Sequence, residues 1–291
     1  MPFAPSELVL NDDGSVYHLG LHPHEISDTI FLVGDPSRVE RVSAQFDSIE
    51  LKRQRREFIT HTGTRNGKRL TVLATGIGTD NIDIVINELD ALANINLESR
   101  TIKSEHTPLR LIRMGTSGSL QSDIPVDSIL LSEAALGLDG LLHFYESDSI
   151  LDREFSEAFR SYTKWPIAAA HPYVVNGNKE LISHLSGTNT FQGTTITAHG
   201  FYGPQGRALR IPLGMPELND QIEKFRFNNR KITNYEMETS ALYGLGALLG
   251  HKCATACVVI ANRPNNTFSA DHHTAVDRMI HHILGRVDLM K

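Results

Sequence analysis

The sequence predicts an α/β fold: one domain over residues 1–291, with a central mixed β-sheet flanked by helices. Three observations carry this. Short apolar, strand-like runs alternate with longer stretches of helical periodicity, the pattern of a sheet covered by helices. Asn66-Gly67 sits between two strand-like runs, and Asn-Gly favours a tight hairpin because both central residues need positive φ. The sheet is therefore mixed rather than purely parallel. No linker, repeat or low-complexity tract breaks the chain.

The elements follow in order. DTIFLVG (28–34) reads as a buried strand. Asp35-Pro36-Ser37 then opens a helix, because proline suits the first turn. FITHTGTRNGKRLTVLATG (58–76) reads as the hairpin. DNIDIVINELDALANI (80–95) has apolar residues at helical spacing, with Asp80 as its expected cap. LRLIRMG (109–115) and SILLSEAAL (128–136) are strand-like, whereas DREFSEAFRSY and NKELISHL are helical. TTITAHG, KITNYEM and KCATACVVIAN read as strands; EMETSALYGLGALLG and AVDRMIHHILGRV read as helices. The polar stretch 94–108 is expected to be a surface loop.

Composition excludes several functions. The net charge of −6 argues against a nucleic-acid polymer as partner, which needs a basic face. A small anion stays open, because a local arginine cluster can oppose the global sign. No apolar run reaches the roughly 18 residues of a membrane helix, and the N-terminus lacks the pattern of a signal peptide. A soluble, cytoplasmic protein is expected. The only cysteines, Cys253 and Cys257, are spaced C-x-x-x-C in an apolar run and read as reduced core thiols.

Three glycine-bearing turns follow strands: LVGDPSR (32–38), ATGIGTDN (74–81) and IRMGTSGSLQ (112–121). None is a P-loop or a clean dinucleotide fingerprint. They carry arginine and hydroxyl groups instead, which with glycine-freed amides suit a phosphate oxyanion. Arg38 alone could be a solvated helix residue. Arg113 interrupts an apolar strand, where a charge without a partner is costly. NYEMETSALYG (234–244) places Glu236 and Glu238 beside an apolar helix start. Metal ligands, an acid/base pair, helix caps or acceptors for hydroxyls would each explain them.

VGDPSRVERV, TGIG, RMGTSGSLQSDIPVDSILLSEAAL and NYEMETSAL, taken together and in this order, resemble the nucleoside phosphorylase superfamily, and its uridine branch most closely. The resemblance runs from about Val16 to about Arg263 and implies a partly barrel-like sheet. It implies a phosphate site at Gly34, Arg38, Arg113 and Thr116, joined by an arginine of the neighbouring subunit at Arg56 or the adjacent Arg55. It implies a ribose site at Met237 and Glu238, with His18 reaching the 5′-hydroxyl across a dimer interface. Glu236 is expected as a wall of this site or as an acid at the helix N-terminus. The base site is implied at Phe201, Gln205 and Arg207.

A glutamine amide offers both a donor and an acceptor and an arginine fork offers donors, which matches the edge of uracil. Where a bacterial purine-cleaving relative carries an aspartate, this chain has Asn262 and Arg263.

The implied activity is phosphorolysis of uridine to uracil and ribose 1-phosphate, with inorganic phosphate as co-substrate. Arg113 and Thr116 would hold the phosphate and Arg207 would steady the departing base. A purine nucleoside phosphorylase and a hydrolytic nucleosidase on the same fold are the rival readings. No metal or organic cofactor is expected. A monovalent cation between subunits, near Glu57 and Ile77, stays open, because Asn81 replaces a hydroxyl of that pattern. A homodimer is the minimal unit, and three dimers could form a hexamer. The histidine pairs at 272–273 and 281–282 read as structural, since adjacent residues do not share a helix face. Trp165 reads as packing. His143 is expected near the base pocket by order of elements, in a structural role.

Overall fold

Strand β1 (Thr29–Val33) is buried at every position, as expected of a strand paired on both edges and covered on both faces. The computed structural model, which describes residues 2–290, continues with α1 (Ser37–Ser43) and three antiparallel-linked strands, β2 (Ser48–Arg55), β3 (Phe58–Arg65) and β4 (Lys68–Ala74). The β3–β4 turn is the expected hairpin, with Asn66 at φ +48° and Gly67 at φ +74°.

Helix α2 (Thr79–Asn94) follows. Its cap is Gly78 at φ +100°, not Asp80, which sits in the first turn. A glycine takes that backbone angle at no steric cost, so the turn geometry sets the boundary. The expected loop after α2 holds a small hairpin, β5 (Ile95–Asn96) with β6 (Thr101–Ile102).

The chain then forms β7 (Arg110–Ser119), β8 (Ile129–Gly137), α3 (Arg153–Thr163), β9 (Tyr173–Asn176), α4 (Lys179–Leu185) and β10 (Thr190–Thr197). Side chains of Asp152 and Asn178 cap α3 and α4 by accepting the amides of Phe155 and Leu181. The last third holds α5 (Leu218–Lys224), β11 (Arg226–Phe227), β12 (Arg230–Glu236), α6 (Thr239–Leu248), β13 (Lys252–Asn262), β14 (Thr267–Phe268) and α7 (His272–Asp288).

The main sheet runs β11-β12-β10-β8-β13-β7-β1-β4-β3-β2, with β9 and β14 as side pairings. One further pairing closes part of it. Asn234 and Tyr235 of β12 pair antiparallel with Ser119 and Gly118 of β7. Strands β7, β13, β8, β10 and β12 thus form a ring, the partly barrel-like sheet expected, while β1, β4, β3 and β2 extend from it as an open wing.

Helices cover both faces. Ile82, Val85 and Leu89 of α2 meet Ala241, Leu242 and Leu245 of α6 in one core. Val39 of α1, Leu181 of α4 and Val276, Met279 and Ile283 of α7 fill the other. Phe155, Phe159, Ile222 and Phe225 pack α3 and α5 against the ring. Trp165 leans on Phe159 at 6.0 Å, a packing role as expected. No helix among the described residues is long and apolar enough to cross a membrane.

Candidate active site

A cavity of about 680 Å³ opens where β1, β7, β12 and β13 end or pass the ring closure. Gly34, Arg38, Arg113, Thr116, Phe201, Gln205, Arg207, Glu236, Met237 and Glu238 all line it. Arg56 and His18 do not. Arg56 is exposed, with its guanidinium 5.4 Å from the Tyr17 ring, and His18 lies beside Tyr17. The two therefore share one outward patch of the same chain.

Arg113 enters from β7, and its side chain runs along the strand over Gly115. It is buried between two carboxylates. Its Nη2 donates to Glu238, its Nη1 donates to Cys257 Sγ at 3.4 Å, and Glu236 lies 3.6 Å away. Burial opposes the charge, but Glu238 and then Glu236 outweigh it and raise the guanidinium's proton affinity above the usual arginine range. Burial pushes the Cys257 thiol up to about 12 despite Arg113, so it stays protonated near neutral pH. Both cysteines are free and buried, as expected.

Glycine at 115 is what admits this arginine. A Cβ there would fall 2.0 Å from Arg113 Nη1, because residues two apart share a strand face. Gly115→Ala is expected to displace the guanidinium and lower kcat/KM on the order of 100-fold, by analogy with other ångström-scale misplacements. Kinetics beside a melting curve will check it; wild-type kinetics would show that the fork's position is unimportant.

Arg38 has no ion pair among the described residues. Its Nη1 donates to the Met114 carbonyl at 3.0 Å. Burial first, and the like charge of Arg113 second, weaken its hold on its proton. The Nε atoms of both arginines and the Ser117 hydroxyl are buried without a partner among the described residues.

The two glutamates prove unlike. Glu236 closes the N-terminus of α6: it accepts the amides of Glu238 and Thr239, both at 2.9 Å, and the Thr197 hydroxyl at 2.6 Å. Burial raises the Glu236 carboxyl even though Arg113 opposes the shift. It is thus a helix N-terminal acid as well as a cavity wall, and donors of its own chain occupy its oxygens. Glu238 accepts the Gly78 amide at 2.8 Å on one oxygen and Arg113 on the other. The metal and acid/base explanations for this pair have no support in that geometry.

At the other end, Arg207 lies 3.7 Å over the Phe201 ring and donates to Gln205 Oε1 at 2.7 Å. Burial lowers the Arg207 pKa. Arg263 also reaches Gln205, 3.3 Å from Oε1. Burial, then Arg207, lowers Arg263 to about 10. Sequence reasoning used Arg263 only to set the chain apart from purine-cleaving relatives. It stands behind the cavity lining, bonded to Gln205 and stacked on the Tyr235 ring at 5.0 Å, and an arginine beside Asn262 was its only signal. With Oε1 engaged by two guanidiniums, Gln205 turns its NH₂ outward as a donor.

His143 is not near this cavity. It lines a separate cleft, where its Nε2 meets the His171 carbonyl at 2.8 Å. The short 3₁₀ turn that carries it (Leu141–Phe144) leads the chain away from the ring. Asp90, His106 and His251 form the one metal-like cluster among the described residues. His251 Nδ1 accepts the Leu109 amide at 3.2 Å, so the neutral ring carries its proton on Nε2, facing Asp90. That proton stands where a metal would bind.

The sequence profile of the phosphorylase superfamily matches residues 28–285, and the chain belongs to that family. It is 29% identical to a uridine phosphorylase of Thermococcus kodakarensis, over 91% of this chain and 84% of the relative. It is 26% identical to a DeoD-type purine nucleoside phosphorylase of Listeria welshimeri, over 90% of this chain and 91% of that protein. Its structure is similar to a Trypanosoma brucei nucleoside phosphorylase described as showing uridine phosphorylase activity. The TM-score is 0.87 at 30% identity, covering 96% of this chain and 98% of that one.

Proposed function

We propose that the protein is a uridine phosphorylase, cleaving uridine with inorganic phosphate to uracil and ribose 1-phosphate. The observation that carries this is one cavity lined by the two buried arginines Arg38 and Arg113 at one end and by the Gln205–Arg207 pair at the other. Phosphate would sit against the Arg38 and Arg113 guanidiniums and the Thr116 hydroxyl, which line one end of the cavity. One phosphate oxygen forms a bond to C1′ as the C1′–N1 bond breaks, and the bonding pair leaves on uracil. Gln205 and Arg207 would donate to that growing negative charge, the interaction that lowers a barrier most, with Arg263 holding Gln205 from behind. Positioning supplies much of the remainder, since effective molarities of oriented groups reach about 10⁵ M or more.

Glu238 would accept ribose hydroxyls and Met237, half-buried beside it, would form an adaptable apolar wall. None of these steps uses a metal or an organic cofactor. Glu57, Ile77 and Asn81 lie together on the rim. From one chain they offer too few oxygens for a monovalent cation, so a second chain would have to complete any such shell. The buried, unpaired thiols suit a reducing cytoplasm, and we assign the enzyme to pyrimidine nucleoside salvage there.

Absorbance of uridine followed with and without phosphate tests the reaction. Cleavage is expected only with phosphate. Equal cleavage without it would make the protein a hydrolase, and turnover of inosine but not uridine would make it a purine phosphorylase.

Arg56 and His18 would serve the cavity of a second subunit, making a homodimer the smallest active unit, with a trimer of dimers as the larger assembly. Arg56→Ala and Arg113→Ala chains should each be nearly inactive alone. Mixed by unfolding and refolding together, they should regain a fraction of wild-type activity at sites where both intact arginines meet. No recovery would place Arg56 outside the site.

A further inference from the structure

Glu88 lies on α2, the helix whose Gly78 cap holds Glu238. Its carboxylate turns to the N-terminal strap. It accepts the His18 amide at 2.9 and 3.1 Å, the Leu19 amide at 2.8 Å and His18 Nδ1 at 2.6 Å. The strap is also held from outside this cluster. Arg55 Nε donates to the Tyr17 carbonyl at 2.9 Å, and Asn11 Nδ2 donates to the Val16 carbonyl at 2.8 Å. The bond to Nδ1 therefore acts on the imidazole itself, over and above fixing the backbone.

An ionised carboxylate only accepts, so Nδ1 must carry the proton. In the neutral ring Nε2 is then an acceptor, and it takes no hydrogen bond from the described residues. The ring is part-exposed, at 30%, on the patch shared with Arg56.

We propose that Glu88 is a positioning residue for 5′-hydroxyl recognition. It fixes the Nδ1–H tautomer of His18 and aims Nε2 to accept the 5′-hydroxyl of a nucleoside in the neighbouring cavity. This rests on the uridine phosphorylase reading with His18 acting across an interface. It adds that the acceptor is set by a group that touches no substrate.

The test compares kcat/KM for uridine and 5′-deoxyuridine, at saturating phosphate, in wild type, Glu88→Gln, His18→Ala and the double variant. Wild type should favour uridine about tenfold, the worth of one good hydrogen bond. Glu88→Gln should bring that ratio down close to the His18→Ala value, and the double variant should fall no further. Glu88→Asp, which keeps the charge on a shorter arm, should lie between.

A Glu88→Gln enzyme with the wild-type ratio, or one slowed equally on both substrates, overturns the proposal. So does a Glu88→Gln effect that persists undiminished without His18. If Glu88→Gln does not fold, a wild-type ratio in Glu88→Asp overturns it equally. A wild-type enzyme that cleaves uridine but ignores the 5′-hydroxyl overturns this proposal alone. One that cleaves no pyrimidine nucleoside overturns the underlying reading, and this proposal with it.

Discussion

Arg113→Ala is expected to lower kcat/KM for uridine by about 10³-fold or more. Removing one preorganised donor from a charge-stabilising site already costs about 10²–10³. Here the same change removes the cation that two buried glutamates share. Stability falls too, because stripping one partner from a buried ion pair costs about 3–5 kcal/mol.

The remaining carboxylates repel, and Glu236, already raised by burial, rises further without Arg113 to oppose the shift. A carboxyl raised in the folded state binds more protons there than in the unfolded chain. The stability it contributes is present at low pH and lost as pH rises through its folded value. The variant's melting temperature should therefore drop more steeply than wild type's as pH climbs above the ordinary carboxylate range. Melting curves across pH, beside steady-state kinetics on the folded variant, separate the two effects. Near-normal turnover would move the phosphate site elsewhere.

That arginine was legible in the sequence for a simple reason. A charge inside an apolar strand must have partners, whatever the fold. The strands and helices with strong periodicity were legible likewise. Those that were missed have physical excuses. Strand β2 reads SIELKRQR and is largely exposed, its charges guarding a sheet edge rather than marking a core. Strand β9 is four residues long, and α5 buries little beyond Leu218 and Ile222.

Within the site, side chains could be named from motifs, but not what holds them. The Gly78 amide lies 160 residues from Glu238, and Glu88 lies 70 from His18. Glu236 shows the same limit. Its carboxylate looks free in NYEMETSALYG, yet the first amides of α6 and a hydroxyl from β10 occupy it. Strand pairing of β10 with β12 sets Thr197 against Glu236, and packing of α2 on α6 brings Gly78 to Glu238.

Glu238→Gln changes one atom and is expected to lower kcat/KM for uridine about 100-fold or more. The carboxylate accepts on both oxygens, from the Gly78 amide and from Arg113. An amide has one acceptor and one donor end. With Oε1 toward Gly78, the NH₂ faces the guanidinium. With the amide flipped, the NH₂ faces the Gly78 N–H. Either way two donors confront each other, and a charged hydrogen bond worth about 1.5–3 kcal/mol is lost.

The damage also spreads. Arg113 keeps only Glu236 as a charged partner, with the weak bond to Cys257 Sγ, so its fork is held less firmly and the KM for phosphate should rise. If Glu238 reads the ribose hydroxyls, 2′-deoxyuridine should lose less than uridine, because one of those contacts is absent from the start. A matched fall for both substrates would leave Glu238 as a support for Arg113 alone. Intact uridine affinity and turnover would remove it from the site.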